Sequence, residues 1–402
     1  METLLIVGCG DIARRALPSL KARYRLCALV RSPDPGLAAA GVEQIEGDLD
    51  APESLAQLAG RAQRVAHLAP PAQAGSRDSR TRSLLAALSA RAKSGAMLPR
   101  RFVYLSTSGV YGDCAGERVD ETRSPRPRTG RARRRLDAEQ AVSDWGAREG
   151  VEVVILRVPG IYAADRLPLD RLARGTPVLR REDDVYTNHI HADDLAAIVA
   201  AVLHAARASG TYNASDDSAI KMGDWLDLVA DRAGLARPRR VSRAEASRVV
   251  PADLLSFMSE SRRLSNARLK SELGVRLRYP TVADGLASTR DRRVMPADAF
   301  LVITNLPDRD SAGKLAHVLV EKRLAACVNV LSPCRSVYHW QGKTEDAEEF
   351  PMLIKTTRER YPALEAAIRA GHPYELPEII AVPLAGGLPA YLDWVDSETK
   401  PA

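Results

Sequence analysis

Leu4-Leu5-Ile6-Val7 runs directly into Gly8-Cys9-Gly10-Asp11-Ile12-Ala13, and apolar Ile12, Ala16 and Leu20 then recur at helical spacing, predicting a helix over 12–23. This strand–glycine turn–helix order restricts the fold more than any other stretch of the chain. The first glycine permits the tight turn, the second lets backbone approach a pyrophosphate, and the small third residue lets helix and strand pack closely. The helix start then offers its amides to an anion. A G-x-G-x-x-A turn in this setting predicts the first unit of a doubly wound parallel sheet that binds a dinucleotide through Gly8, Gly10, Asp11, Ile12 and Ala13.

The segments that follow extend the same site. Leu26-Cys27-Ala28-Leu29-Val30 ends at Arg31, where an acidic residue would accept hydrogen bonds from the adenosine ribose. Arginine there favours the 2′-phosphate of NADP over NAD. Asp48 and Leu49 follow a third apolar segment and are placed to reach the adenine. Val65-Ala66-His67-Leu68-Ala69-Pro70 supplies a fourth strand whose end, Leu68-Ala69-Pro70, faces the cofactor, with His67 packed inside it. Phe102-Val103-Tyr104-Leu105-Ser106 is a fifth.

The chain has 402 residues, enough for two or three domains, and 45% of them are hydrophobic, which excludes a wholly disordered protein. No apolar run approaches the roughly 20 residues that span a bilayer. The start lacks a basic leader, so no signal peptide is expected, and five cysteines without a C-x-x-C pair fit a reducing cytoplasm. The net charge of +7 is divided unevenly. From Pro296 onward 11 basic residues face 15 acidic ones, leaving the first 295 residues with a basic excess of 11. Those cations are scattered arginines without interleaved aromatics, the pattern of a solvated surface and not of a nucleic-acid partner.

Leu105-Ser106-Thr107-Ser108-Gly109-Val110-Tyr111-Gly112 closes the fifth strand, and Leu156-Arg157-Val158-Pro159-Gly160-Ile161-Tyr162 closes a sixth. With His189-Ile190-His191-Ala192-Asp193-Asp194-Leu195, Gly210-Thr211-Tyr212-Asn213 and Asn266-Ala267-Arg268-Leu269-Lys270, these motifs resemble an extended, atypical short-chain dehydrogenase/reductase of the NAD-dependent epimerase/dehydratase group. The resemblance covers about the first 285 residues and implies Thr107 as the hydroxyl that hydrogen-bonds a substrate carbonyl. It also implies a small-molecule substrate of unknown identity. The His189-x-His191-x-Asp193 pattern imitates a metal site, but it matches a strand–helix junction of that family. Active members carry Tyr-x-x-x-Lys on the next helix. Aligned on Glu139-Gln140, those two positions are Arg131 and Arg135. Arginine, with a pKa above about 12, cannot exchange a proton near neutrality. Arg135 retains the charge to bind a ribose or phosphate, whereas Arg131 cannot replace the tyrosine.

After a charged linker at 289–297, a strand–helix–strand–strand–helix–strand pattern predicts a ferredoxin-like α+β domain over 298–402. The strand Phe350–Thr357 is expected to enter its helix through a capping box, Thr356-x-x-Glu359. Glu321-Lys322-Arg323-Leu324-Ala325-Ala326-Cys327-Val328-Asn329, Tyr338-His339-Trp340-Gln341-Gly342-Lys343, Ile354-Lys355-Thr356-Thr357 and His372-Pro373-Tyr374-Glu375-Leu376-Pro377-Glu378 closely resemble CutA, the divalent-cation tolerance family. That resemblance implies a homotrimer built through this domain, a role in tolerance of metal ions with copper binding, and no enzymatic activity in the tail. Cys327, His372 and Glu378 are donor types for Cu(II) or another divalent cation.

The expectation is thus a cytoplasmic α/β protein of two parts: an NAD(P)-binding Rossmann-like domain at 1–288 and a CutA-like trimerisation domain. Two readings stand. One is an oxidoreductase or epimerase held as a trimer by its tail; the other is a non-catalytic nucleotide- and metal-binding scaffold or sensor.

Overall fold

The structure, a computed structural model, describes residues 1–90, 97–206, 208–287, 299–384 and 386–400. The expected linker at 289–297 lies outside the described residues. The chain divides into two compact units, Met1–Ser288 and Thr289–Ala402.

In the first unit seven strands form one parallel sheet: β1 (Thr3–Val7), β2 (Arg25–Val30), β3 (Glu43–Glu46), β4 (Arg64–His67), β5 (Arg101–Thr107), β6 (Glu152–Val158) and β7 (Gly210–Asn213). Their spatial order is 7-6-5-4-1-2-3. The period-2 alternation of a strand explains the continuous apolar runs. Leu4 and Ile6 enter one core with Ile12, Ala16 and Leu20, while Leu5 and Val7 enter a second core with Leu84, Leu88 and Trp145. Both faces of the sheet are therefore covered, and only a chain apolar at successive positions can do that. The helix after β1 spans Asp11–Lys21 and the long helix Gly130–Glu149 follows β5. A smaller lobe has its own core around Leu226, Trp225, Val229 and Val178.

The second unit is antiparallel. Its strands are β8 (Ala299–Leu306), β9 (Cys327–Val330), β10 (Cys334–Trp340), β11 (Lys343–Thr357) and β12 (Ile380–Pro383), in the order 9-11-8-12. The first half of β11 pairs with β10 as a hairpin arm, turned at Gln341-Gly342, both with positive φ. Helices Arg309–Glu321 and Tyr361–Gly371 complete the ferredoxin-like pattern.

One local expectation fails here. The capping box at Thr356 and Glu359 does not form, because β11 continues through Thr357 and the helix starts at Tyr361. Thr356 is buried, and its hydroxyl donates to the Leu324 carbonyl at 2.6 Å. A buried hydroxyl needs a partner, and this one finds it across the fold.

Candidate functional site

The order of the first sheet reverses between β1 and β4, and a parallel sheet opens a crevice beyond the carboxyl ends of its strands at that point. A cavity of about 470 Å³ lies there. Gly8, Arg31, Asp48, Leu49, Ala69 and Pro70 all line it, brought together from the ends of four strands. Gly8 has φ of +96°, and a Cβ on it would stand 2.4 Å from the Ala69 amide nitrogen. The turn thus requires glycine. A Cβ on Gly10 would meet nothing within 4 Å, so the backbone there is open to a ligand. Gly10 caps the Asp11–Lys21 helix without a side-chain hydrogen bond, which leaves the first-turn amides for an anion. These features fit a dinucleotide. Bound there, the nicotinamide would supply hydride exchange.

Other predicted cofactor residues contribute differently. Ile12 and Ala13 are buried in the core, so only their backbone faces the turn. Asp11 accepts from Arg15 at 2.7 Å and Arg166 at 2.8 Å, which occupies its carboxylate. Leu68 donates its amide to the Val7 carbonyl and does not line the cavity. Asp48 accepts from the Asp50 amide. Arg31 is exposed, with no hydrogen bond or ion pair among the described residues. Arg80 lines the same cavity, yet it is tied to Asp50 and donates towards the Pro70 and Pro71 carbonyls.

A second cavity, of about 580 Å³, opens beside β5 and is lined by Thr107, Arg131, Pro159, Tyr186, Asn188, Phe257, Glu260 and Arg262 among others. Thr107 is half-buried and its Oγ1 accepts from the Gly109 amide at 3.2 Å, leaving its own proton to donate. Arg131 reaches this cavity but Arg135 does not. Arg135 Nη1 donates to the Leu105 carbonyl at 2.7 Å, the Tyr104 hydroxyl at 3.0 Å and the Ala69 carbonyl at 3.2 Å. It clamps the end of β5 to the segment after β4, directly behind the crevice wall.

The neighbouring polar groups are structural. Arg157 and Glu139 form a buried ion pair at 2.8 Å, and Glu139 also receives the Ser106 hydroxyl. Tyr111 is fully buried, donates to Asn213 at 2.8 Å and does not line the cavity. His67 is buried against Thr81, and burial depresses its pKa to about 3. His191 accepts from the Asp193 amide and caps the Ala192–His204 helix, while His189 packs on Trp225.

The proposed metal donors of the second unit do not meet. His372 Nδ1 accepts from the Tyr374 amide at 3.1 Å, so its Nε2 carries the proton that goes to the Asn305 carbonyl at 2.8 Å. No lone pair remains for a cation. Glu378 accepts from the Asn305 side chain at 2.6 Å, and Cys327 lies 3.3 Å from the Tyr391 hydroxyl. Among the described residues no three His, Cys, Asp or Glu side chains gather as a metal site. Cys327, His372 and Glu378 therefore do not fit a shared Cu(II) site within one chain, because local hydrogen bonds in the fold already use the histidine.

Arg80, Tyr186, Phe257, Glu260 and Arg262 were not found from the sequence. No local motif marks them; Arg262, for example, reaches the Gly112 carbonyl from 150 residues away.

The sequence model of the NAD-dependent epimerase/dehydratase family matches residues 4–215, and that of the CutA1 divalent ion tolerance proteins matches residues 300–398. A solved structure of a conserved protein of unknown function from Silicibacter pomeroyi is 30% identical, with a TM-score of 0.60, and spans 72% of this chain and 99% of its own. A putative NAD-dependent epimerase/dehydratase from Methylobacillus flagellatus is 27% identical, with a TM-score of 0.53 and the same shares. The divalent-cation tolerance protein CutA of Thermus thermophilus is 42% identical over 99 residues, 25% of this chain and 96% of that protein. No helix among the described residues is long and apolar enough to cross a membrane. Fold, crevice and both matches agree: this chain is a fusion, its first unit belonging to the NAD-dependent epimerase/dehydratase family and its second to the CutA1 divalent ion tolerance proteins.

Proposed function

We propose that the first unit binds NADP in the crevice between β1 and β4 and does not run the proton transfer of its family through the Gly130–Glu149 helix. The observation that carries this reading is the pairing of an intact crevice with Arg135, whose Nη1 is spent on two carbonyls and a tyrosine hydroxyl. Arg31, exposed at the end of β2 and lining the crevice, supports the 2′-phosphate over a bare ribose. Titration of the full chain with NADPH and NADH, followed by fluorescence, tests it: tighter binding of NADPH is expected, and failure to bind either removes the reading. A second reading keeps carbonyl reduction. It is favoured by Tyr186, which lines the same cavity as Thr107 and could serve as a displaced proton donor. Reduction of any carbonyl in a broad panel, lost in Tyr186→Phe, would establish that activity.

The second unit holds the chain as a cytoplasmic homotrimer and links it to the response to divalent cations, the role that its relatives' names carry. Support for assembly comes from apolar side chains left in water: Val337 and Trp340 on the hairpin arm, Ile380 and Val382 on the edge strand β12. An exposed edge strand with apolar residues is a template for another chain. Light scattering of the full chain tests this, and a monomeric mass removes it.

A further inference from the structure

The second cavity of the first unit holds a cation that the fold leaves without a counter-ion. Arg131 stands in the first turn of the Gly130–Glu149 helix and lines that cavity. Among the described residues its guanidinium makes no hydrogen bond or ion pair; it lies over the Phe257 ring, 5.7 Å from the centroid. Three nearby arginines are engaged. Arg134 donates to the Gly75 carbonyl, Arg135 to the ends of β4 and β5, and Arg262 pairs with Glu260 at 2.9 Å while donating to the Gly112 carbonyl. Because Arg262 and Glu260 neutralise each other, the net charge on the cavity wall is that of Arg131. The positive end of a 20-residue helix adds to it. Arg131 is exposed where it lines the cavity, so its guanidinium is open to a partner from outside the chain.

We propose that this cavity takes a small organic anion, a carboxylate or a phosphate monoester, with its charged head on Arg131 and its apolar body against Phe257. The assignment rests on the reading of the first unit as a dinucleotide-binding fold with a ligand cavity beside the crevice. The planar guanidinium donates two parallel hydrogen bonds to either group. The Thr107 hydroxyl, on the same wall, offers a neutral donor to the rest of the ligand. A volume of about 580 Å³ suits a ligand of this class. At the position where the family exchanges a proton, this chain thus recognises a charge.

Matched probes test the proposal: benzoate against benzamide, and phenyl phosphate against phenol, titrated calorimetrically into the full chain saturated with NADPH. In at least one pair the anion should bind about tenfold or more tightly than its neutral partner. Whichever pair shows the larger ratio tells carboxylate from phosphate. Arg131→Gln should abolish the ratio, Arg131→Lys should retain part of it, and Phe257→Ala should weaken both members alike. Equal affinities within both pairs, no binding by any of the four probes, or a ratio that survives Arg131→Gln would overturn it. NADPH binding is measured separately. A chain that binds NADPH without preferring anions fails this proposal alone, and one that binds no NADPH fails the dinucleotide reading beneath it.

Discussion

The two units bury their sheets in different ways. In the first, successive residues of β1 enter opposite cores, and Leu4, Leu5 and Ile6 are all fully buried. In the second, β8 alternates buried and half-buried positions, and the hairpin arm leaves Val337 64% exposed. The first sheet is finished within its own unit. The second leaves apolar side chains exposed, Val337, Trp340, Ile380 and Val382 among them, and the proposed assembly rests on these. The difference separates two kinds of residue: those that hold a fold together from inside, and exposed apolar ones on which the proposed assembly would depend.

The largest effect on this contrast should come from inside the first unit. Glu139→Ala leaves the Arg157 guanidinium buried without its carboxylate, which costs about 3–5 kcal/mol. Chemical denaturation should show the loss in the first unit alone, with the mass of the assembly unchanged. Gly8→Ala comes next. A positive φ costs an L-residue about 1–2 kcal/mol, and the new Cβ meets the Ala69 backbone, so NADPH binding should be lost along with that stability. On the other side of the comparison, Val337→Asp should lower the assembled mass while leaving NADPH binding intact. A variant that stayed assembled would show that the arm is not the contact surface.

The smallest effects concern single titrating and donor groups. Burial pushes the Asp216 carboxyl up to about 7, with Asp217 and Asp194 adding to the rise against a hydrogen bond from Ser218. The folded form holds this proton more tightly than the unfolded chain, so stability is present below the ordinary carboxylate pKa and falls as pH rises towards 7. Asp216→Asn should flatten the slope of Tm between pH 4 and pH 7. His372→Ala should leave Cu(II) binding of the full chain, measured by equilibrium dialysis, unchanged, because both ring nitrogens already have partners.

Much of the nucleotide crevice was legible in the sequence. Gly8, Arg31, Ala69 and Pro70 each follow a short apolar run, Asp48 follows the polar strand Glu43–Glu46, and every parallel strand delivers its end to the same edge. The local pattern was enough because the topology repeats. The second cavity was not legible beyond Thr107 and Arg131. Phe257, Glu260 and Arg262 come from the smaller lobe, at positions that no spacing rule ties to β5. Thr356 gives the same lesson in reverse. Its capping-box spacing is present, but the Leu324 carbonyl across the fold claims the hydroxyl.

Alternating and continuous apolar runs decide which residues a strand must hide, and a glycine turn decides where the backbone can bend, because both depend on covalent neighbours alone. Those were settled by the order of residues. Whether a charge is matched depends on which distant groups arrive within hydrogen-bond reach. Arg131, Arg134 and Arg135 look alike in one short stretch, yet one clamps two strand ends, one meets a loop carbonyl, and Arg131 is left facing an open cavity. Only the tertiary packing around the helix, which brings strand ends, a loop and the lobe to different arginines, made that distinction.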